Sequence, residues 1–273
     1  MCRRSRDAPV LLTHGFSGVS DQHVIVERDG PALRVTINRP ERRNALQLAL
    51  LDAIGVAFAT HAADPSIRFA VLTGAGDRCF AAGGDLQELS SIRSVEDALA
   101  MSRRGRRALA QVRELPLPVI CALNGHALGG GAELALACDL RVATPDAEIG
   151  FLQATLNVTT AWGGGIDLAA TIGDRAALAL LTSGRRVPAA ESLALGIVSR
   201  VARNRQDLEA SVNELTAAYS SRTRGVLEGI KALMSRTRRE MHERLGATEE
   251  QHFVMTWTHQ DHWHAVKAAG RGD

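Results

Sequence analysis

Apolar and polar residues alternate over 24–28 and again over 32–38, on either side of Asp29-Gly30. This is the pattern of two short strands joined by a tight turn. Arg39-Pro40 ends the second strand, because proline cannot donate to a ladder. Leu46, Leu50, Ile54 and Phe58 then recur at helical spacing across 45–62. A short buried strand follows at 70–73, then the turn cluster Gly74-Ala75-Gly76-Asp77. The small, glycine-rich run 80–86 places Asp85 where a short helix can begin. Residues 95–113 predict a helix with a polar face, and Pro116 and Pro118 bracket a strand at 119–123. Strands are expected at 140–143, 147–150 and 196–198, a helical turn at 151–156, and helices at 162–170, 176–182 and 189–195. Beyond about residue 206 the alternation stops, and 208–255 reads as long amphipathic helices rich in arginine, a helical subdomain or oligomerisation arm. Short strands alternating with helices over 1–205 predict an α/β fold with largely parallel crossovers.

The stretch Cys121 to Asp139, CALNGHALGGGAELALACD, concentrates the candidate chemistry. Three glycines, Gly129, Gly130 and Gly131, separate a strand from an apolar helix. Glycine lets a ligand approach the backbone and tolerates positive φ. The free N–H groups and positive dipole end of the helix then face that ligand, an arrangement suited to an anion or to an oxyanion formed in a reaction. Glu133 lies in the first turn beside this point. Close helix–strand packing and a dipole-favoured acid are the bland alternatives, and a phosphate loop is a third. No Lys-Ser or Lys-Thr pair follows the glycines, so the nucleotide-triphosphate signature is absent. The run 80–86 is a second place where backbone N–H groups can face a ligand.

Composition narrows the field only modestly. The 273 residues suffice for one large domain or two small ones, and 45% hydrophobic with 23% charged residues is ordinary for a globular protein. A net charge of +2 gives no reason to expect nucleic acid or an anionic membrane as partner. No apolar stretch is long enough to span a bilayer. Cys2, Cys79, Cys121 and Cys138 show no metal-ligand or CxxC spacing, and a reducing, cytoplasmic setting is expected. Residues 1–20 are expected as an extension outside the fold. His14-Gly15-Phe16-Ser17-Gly18 has the wrong spacing for a nucleophile elbow.

The ordered motifs INRPERRNAL (37–46), GAGDRCFAAGGDL (74–86), NGHALGGGAELALACDLRVAT (124–144), WGGG (162–165) and ALGIVSRV (194–201) resemble the crotonase superfamily, the enoyl-CoA hydratase/isomerase group. The resemblance runs from about Asp21 to the C-terminus. It implies a crotonase-like spiral of repeated ββα units over 21–205 with a C-terminal helical subdomain over 206–273, and homotrimers or hexamers. It implies acyl-CoA thioester substrates, with coenzyme A belonging to the substrate and no separate cofactor or metal. It also implies that Gly84 and Gly130 form an oxyanion hole for a thioester enolate, with Ala82 and Gly129 beside it, and that Glu133 is an acid–base residue. The family's second glutamate corresponds to Gln153, and Val158-Thr159-Thr160 stands where an Ile-Pro pair is common.

Glutamine cannot usefully accept a proton, but it can orient water. The expected activity is therefore of hydratase/isomerase type with one carboxylate. A malonyl-type (methylmalonyl- or ethylmalonyl-CoA) decarboxylase is an alternative, and a catalytically impaired acyl-CoA-binding or interaction protein is another. Arg42 and Arg43 suit either the nucleotide part of CoA or a solvated loop. His126 and Asp85 are expected in structural roles, Asp139 in satisfying backbone groups, and Lys231, Trp257, His259, His262, Trp263 and His264 in packing and subunit contact rather than metal binding.

Overall fold

A computed structural model describes residues 10–11 and 23–269 of the chain. Cys2 and His14-Gly15-Phe16-Ser17-Gly18 lie outside the described residues. Of the expected N-terminal extension, only strand β1 (Val10–Leu11) is described; it pairs antiparallel with β2.

The elements follow in order: β2 (Val24–Asp29), β3 (Ala32–Ile37), α1 (Leu48–His61), β4 (Phe69–Gly74), β5 (Cys79–Ala81), α2 (Leu86–Leu89), α3 (Val95–Arg113), β6 (Val119–Leu123), β7 (His126–Leu128), α4 (Gly130–Ala137), β8 (Leu140–Ala143) and β9 (Glu148–Gly150). Then come α5 (Gly164–Ile172), α6 (Asp174–Ser183), β10 (Arg186–Pro188), α7 (Ala189–Ala194), β11 (Arg200–Val201), α8 (Leu208–Thr216), α9 (Arg224–Trp257) and α10 (Gln260–Ala269). The large sheet has the order β1-β2-β3-β4-β6-β8-β11 and the small one β10-β9-β7-β5. Three successive passes of the chain place one strand in the large sheet, the next in the small sheet, and then a helix: β4, β5 and α2–α3; β6, β7 and α4; β8, β9 and α5. Pairing from β3 through β4, β6 and β8 to β11 is parallel, as is β5 through β7 to β9. This is the expected spiral of ββα units.

The central strands read as apolar runs because both faces are covered, and every residue of β6 is buried. One large core joins the sheets to α1, α3 and α4, and Leu33, Leu46, Leu72, Phe58 and Phe80 are fully enclosed in it.

One expectation needs correction. The strand expected at 196–198 is a turn, and the paired strand is β11. Gly196 sits at φ 79°, and Ile197 and Val198 are buried as side-chain filling while Ile197 O accepts from the Arg141 guanidinium. Their β-branched character reflects burial, not a ladder. The short strands β5, β7 and β10 carry too few residues to show alternation and were not expected.

The tail is helical as expected. Its dominant element is the single 34-residue α9, about 50 Å long, lying across α3 and α5. Among the described residues no helix is long and apolar enough to cross a membrane.

Candidate active site

The two glycine segments meet between the sheets. Gly83 has φ 111° and Gly129 φ 52°, conformations that disfavour side chains. A Cβ on Gly83 would lie 3.2 Å from Leu128 O and 3.8 Å from Gly130 N. The bridge between Leu46 and Gly84 uses Gly83 O and Asp85 N, which leaves the Gly84 N–H out of the ladder. Gly130 is the first residue of α4, so its N–H has no helical acceptor. Among the described residues neither N–H donates a backbone hydrogen bond outside the regular elements. Side chains are excluded at Gly130 and Gly131, where a Cβ would run into the Trp162 ring and into Ala81 O.

Asp85 takes the expected structural role. It caps α2 by accepting from Gln87 N, and Arg39 Nη1 and Nη2 donate to its Oδ2 at 3.2 and 3.3 Å. Asn44 ties the same loop down, accepting from Arg39 N and donating to Ala75 O and Cys79 O. The Gly83-Gly84 segment is therefore braced by buried polar contacts on its outer side.

Glu133 is 2% exposed and projects from α4 into the same space. Its Oε2 accepts from Trp162 N at 2.8 Å and Gly164 N at 2.9 Å, and its Oε1 accepts from Gln153 Nε2 at 2.9 Å and Ala161 N at 3.4 Å. Gly164 is obligatory, since a Cβ there would collide with the Glu133 side chain. Burial pushes the Glu133 carboxyl up to about 7, and the charge of Glu249 adds to this; the N–H groups of Gly164, Trp162 and Ala161 pull the other way. Such a group exchanges protons near neutral pH. Gln153 is thus brought against Glu133, and its Oε1 is buried with no hydrogen-bond partner.

Gly84, Gly129, Gly130, Glu133, Gln153 and Ala82 all line one cavity of about 240 Å³. Its far wall is apolar, built by Leu86, Leu89, Met101, Leu156, Val158 and Trp162, and it is roofed by Phe253, Trp257 and His262. Ala82 also lines a neighbouring polar cleft of about 430 Å³ with Arg43, Arg78, Arg186, Arg205, His126 and Asp146. Arg43 is therefore next to the site. Arg42 is exposed in the preceding turn and lines neither space. His126 Nδ1 accepts from Glu148 N at 3.2 Å on the wall of the cleft.

Sequence reasoning did not single out Arg78, Arg186 and Arg205, nor the roof from α9 and α10. The tail cluster does pack: Trp257 stacks with Phe253 and His262, and Trp263 lies under Arg93. Yet it also closes the cavity. The spacing of Glu249, Phe253 and Trp257 at i, i+4 and i+8 puts them on one helix face, a signal that could have revealed this. Lys231 and Arg238 pair with Asp139, whose Oδ2 also accepts from Val119 N. Among the described residues no group of three or more His, Cys, Asp or Glu is placed to hold a metal ion.

Comparison with known proteins identifies the family and the fold. The enoyl-CoA hydratase/isomerase family model matches residues 27–269. A short-chain-enoyl-CoA hydratase of Clostridium acetobutylicum is 34% identical over 179 residues, 66% of this chain and 68% of that protein. A carnitinyl-CoA dehydratase of Salmonella typhi is 35% identical over 188 residues, 69% of this chain and 70% of that one. Among solved structures, an enoyl-CoA hydratase/isomerase from Xanthobacter autotrophicus superposes with a TM-score of 0.83 at 26% identity, covering 92% of this chain and 93% of its own.

Proposed function

Because the chain belongs to the enoyl-CoA hydratase/isomerase family, we propose that it acts on unsaturated acyl-CoA thioesters through a thioester enolate, with Glu133 as the acid–base group. The observation that carries this reading is the buried Glu133 carboxylate opening onto the same cavity as the unused N–H groups of Gly84 and Gly130. The thioester oxygen would accept from those two donors. Preorganised donors of this kind contribute about 3 kcal/mol each to a developing oxyanion. The acyl chain would lie along the wall of Leu86, Leu89, Leu156 and Val158. The polar cleft beyond Ala82, with four arginines, suits the CoA phosphates. Arg43 takes that role, and Arg42 does not.

In hydration, Glu133 takes a proton from water as the water oxygen bonds to the β-carbon, and the protonated Glu133 then gives that proton to the α-carbon as the enolate collapses, which regenerates the carboxylate. In isomerisation, Glu133 removes the α-proton of a β,γ-unsaturated thioester and returns a proton to the γ-carbon, so no second carboxylate is required. Gln153 fits either, donating to Glu133 and keeping a free acceptor for water. Neither proton transfer calls for a metal or redox cofactor. The exposed stripe Val226, Ile230, Leu233 and Met234 on α9 is proposed as a self-association surface, consistent with a homotrimer or hexamer, to be checked by light scattering.

The test gives purified protein crotonyl-CoA, a β,γ-unsaturated acyl-CoA and methylmalonyl-CoA, beside Glu133→Gln. Hydration or double-bond migration that falls by about 100-fold or more in the variant supports the proposal. Carbon dioxide release that persists without Glu133 overturns it in favour of a decarboxylase. Binding of all three without turnover overturns it in favour of a non-catalytic acyl-CoA-binding protein.

A further inference from the structure

A second carboxylate approaches the site from the long helix α9. Glu249 lies on α9, nearly buried with its side chain 9% exposed. Thr160 Oγ1 donates to its Oε1 at 2.5 Å, and Arg106 Nη2 on α3 donates to its Oε2 at 2.5 Å. The adjoining glycines explain how it comes so close. A Cβ on Gly164 would collide with Glu133, while one on Gly165 would lie 2.7 Å from Thr160 Oγ1 and 3.5 Å from Glu249 Oε1. The bare backbone at the start of α5 thus has Glu133 against one residue and Glu249 against the next. No other part of the proposed chemistry uses Thr160, which lies in the run Val158-Thr159-Thr160 that stands where the family commonly has an Ile-Pro pair.

We propose that Glu249 is a positioning residue of this active site, acting on Glu133 across the Gly164-Gly165 turn, and that Thr160 and Arg106 hold it there. The inference rests on Glu133 as the acid–base group. Its physical basis is that a second negative charge beside a buried carboxylate makes the charged form of that carboxylate harder to keep. The site has glutamine where a second glutamate is expected, so the like charge that would stand beside Glu133 is supplied from the tail.

The other charged groups around this point are accounted for. Arg106 on α3 is paired with Glu249 itself. Arg113 on α3 and His242 on α9 both bond Asp167 of α5, and Arg238 lies 3.9 Å from the same carboxylate, a cluster with an excess of positive charge that a change at Glu249 leaves in place. Glu249 is therefore the group whose removal should move Glu133.

The experiment reads Glu133 directly, without turnover. The full-length protein is labelled with carboxyl-13C glutamate and titrated by NMR from pH 5 to 9, with the Glu133 resonance identified by its loss in Glu133→Gln. A midpoint near 7 is expected for the unaltered protein. In Glu249→Gln it should move down by about half a unit or more. Thr160→Val should move it down by less, and Thr160→Ser should restore it. An unchanged midpoint in Glu249→Gln overturns the inference. Should that variant not fold, the Thr160→Val and Thr160→Ser pair decides in its place, and equal midpoints in the two are the refuting result. Thioester turnover is measured alongside. A moved midpoint without any turnover leaves this inference standing while the proposed function falls, and turnover with an unmoved midpoint does the reverse.

Discussion

Replacing Glu133 by glutamine should change the pH dependence of stability in a defined direction. The carboxyl rises from its usual 4.5 to about 7 in the folded protein. Between those values the folded chain holds a proton that the unfolded chain has released. Stability from this group is therefore complete below pH 4.5 and is lost as pH rises through 7. A rise of roughly 2.5 units, at about 1.4 kcal/mol per unit, amounts to a loss of about 3 kcal/mol by pH 8. Glutamine does not titrate, so the variant lacks this slope. Its intrinsic cost, including one carboxylate oxygen lost as acceptor for Trp162 N or Gly164 N, is nearly independent of pH. The assay is urea unfolding of both proteins at fixed concentration from pH 5 to 8.5. The stability difference, wild type minus variant, should fall by about 2.5 kcal/mol across that range, levelling off above pH 7. Asp167 does not confuse the result. Burial pushes its carboxyl up, but Arg113, His242 and Arg238 more than offset this and leave it below the usual range, so its stability is lost only on acidification beneath the window. A difference that stays flat from pH 5 to 8.5 would refute the claim that burial raises Glu133.

Other substitutions carry equally definite expectations. Gln153→Glu should raise crotonyl-CoA hydration and lift the Glu133 midpoint further, because two carboxylates at 2.9 Å must share a proton; no gain in hydration would show that the second acid is not limiting. Gly130→Ala should lower kcat by about 100-fold, since its Cβ displaces Trp162 or the N–H itself. Gly84→Ala should cost less than about tenfold, because its Cβ is crowded only by the end of the Leu89 side chain at 2.5 Å and reaches the Trp162 ring at an ordinary 3.8 Å; steady-state kinetics on the two variants compares them. Arg113→Met leaves the buried Asp167 short of its main cation, and thermal or urea unfolding should register a loss of about 3 kcal/mol.

Most of the core was legible because its signals are local. The hairpin around Gly30, the helix 95–113 and the strand 119–123 follow from alternation, helical spacing and flanking prolines, and the structure has them at or within a residue of the expected bounds. The glycine sites were legible because a positive φ or a close approach leaves a mark on residue identity, as at Gly83 and Gly129. The three-residue strands β5, β7 and β10 could not be seen, since alternation needs more residues to register. Ile197 and Val198 misled for the opposite reason, because burial alone favours the same side chains as a strand. The roof of the cavity was hidden by distance along the chain. Phe253 and Trp257 line the same cavity as Leu156 and Val158 because α9 lies across α3 and α5.

The Glu133–Gln153 contact constrains how the site can handle a proton. All four bonds to the Glu133 carboxylate come from N–H donors, so all four favour the charged form. Adding a proton to either oxygen places hydrogen against one of those donors. Trp162 N and Gly164 N are fixed in the backbone at 2.8 and 2.9 Å from Oε2, so protonation there would be opposed by groups that cannot turn away. On Oε1 the backbone donor Ala161 N is distant at 3.4 Å, and the close one is the side-chain amide of Gln153. An amide can rotate, and its Oε1 has no partner in the charged arrangement. If Glu133 is the acid–base group, as proposed, Oε1 is the oxygen this geometry favours for its proton, with Gln153 turning from donor to acceptor as it arrives. Glutamine at this position is then compatible with acid–base work by one carboxylate: it can stabilise both protonation states of Glu133 in turn, which a second ionised glutamate could do only by carrying a proton of its own.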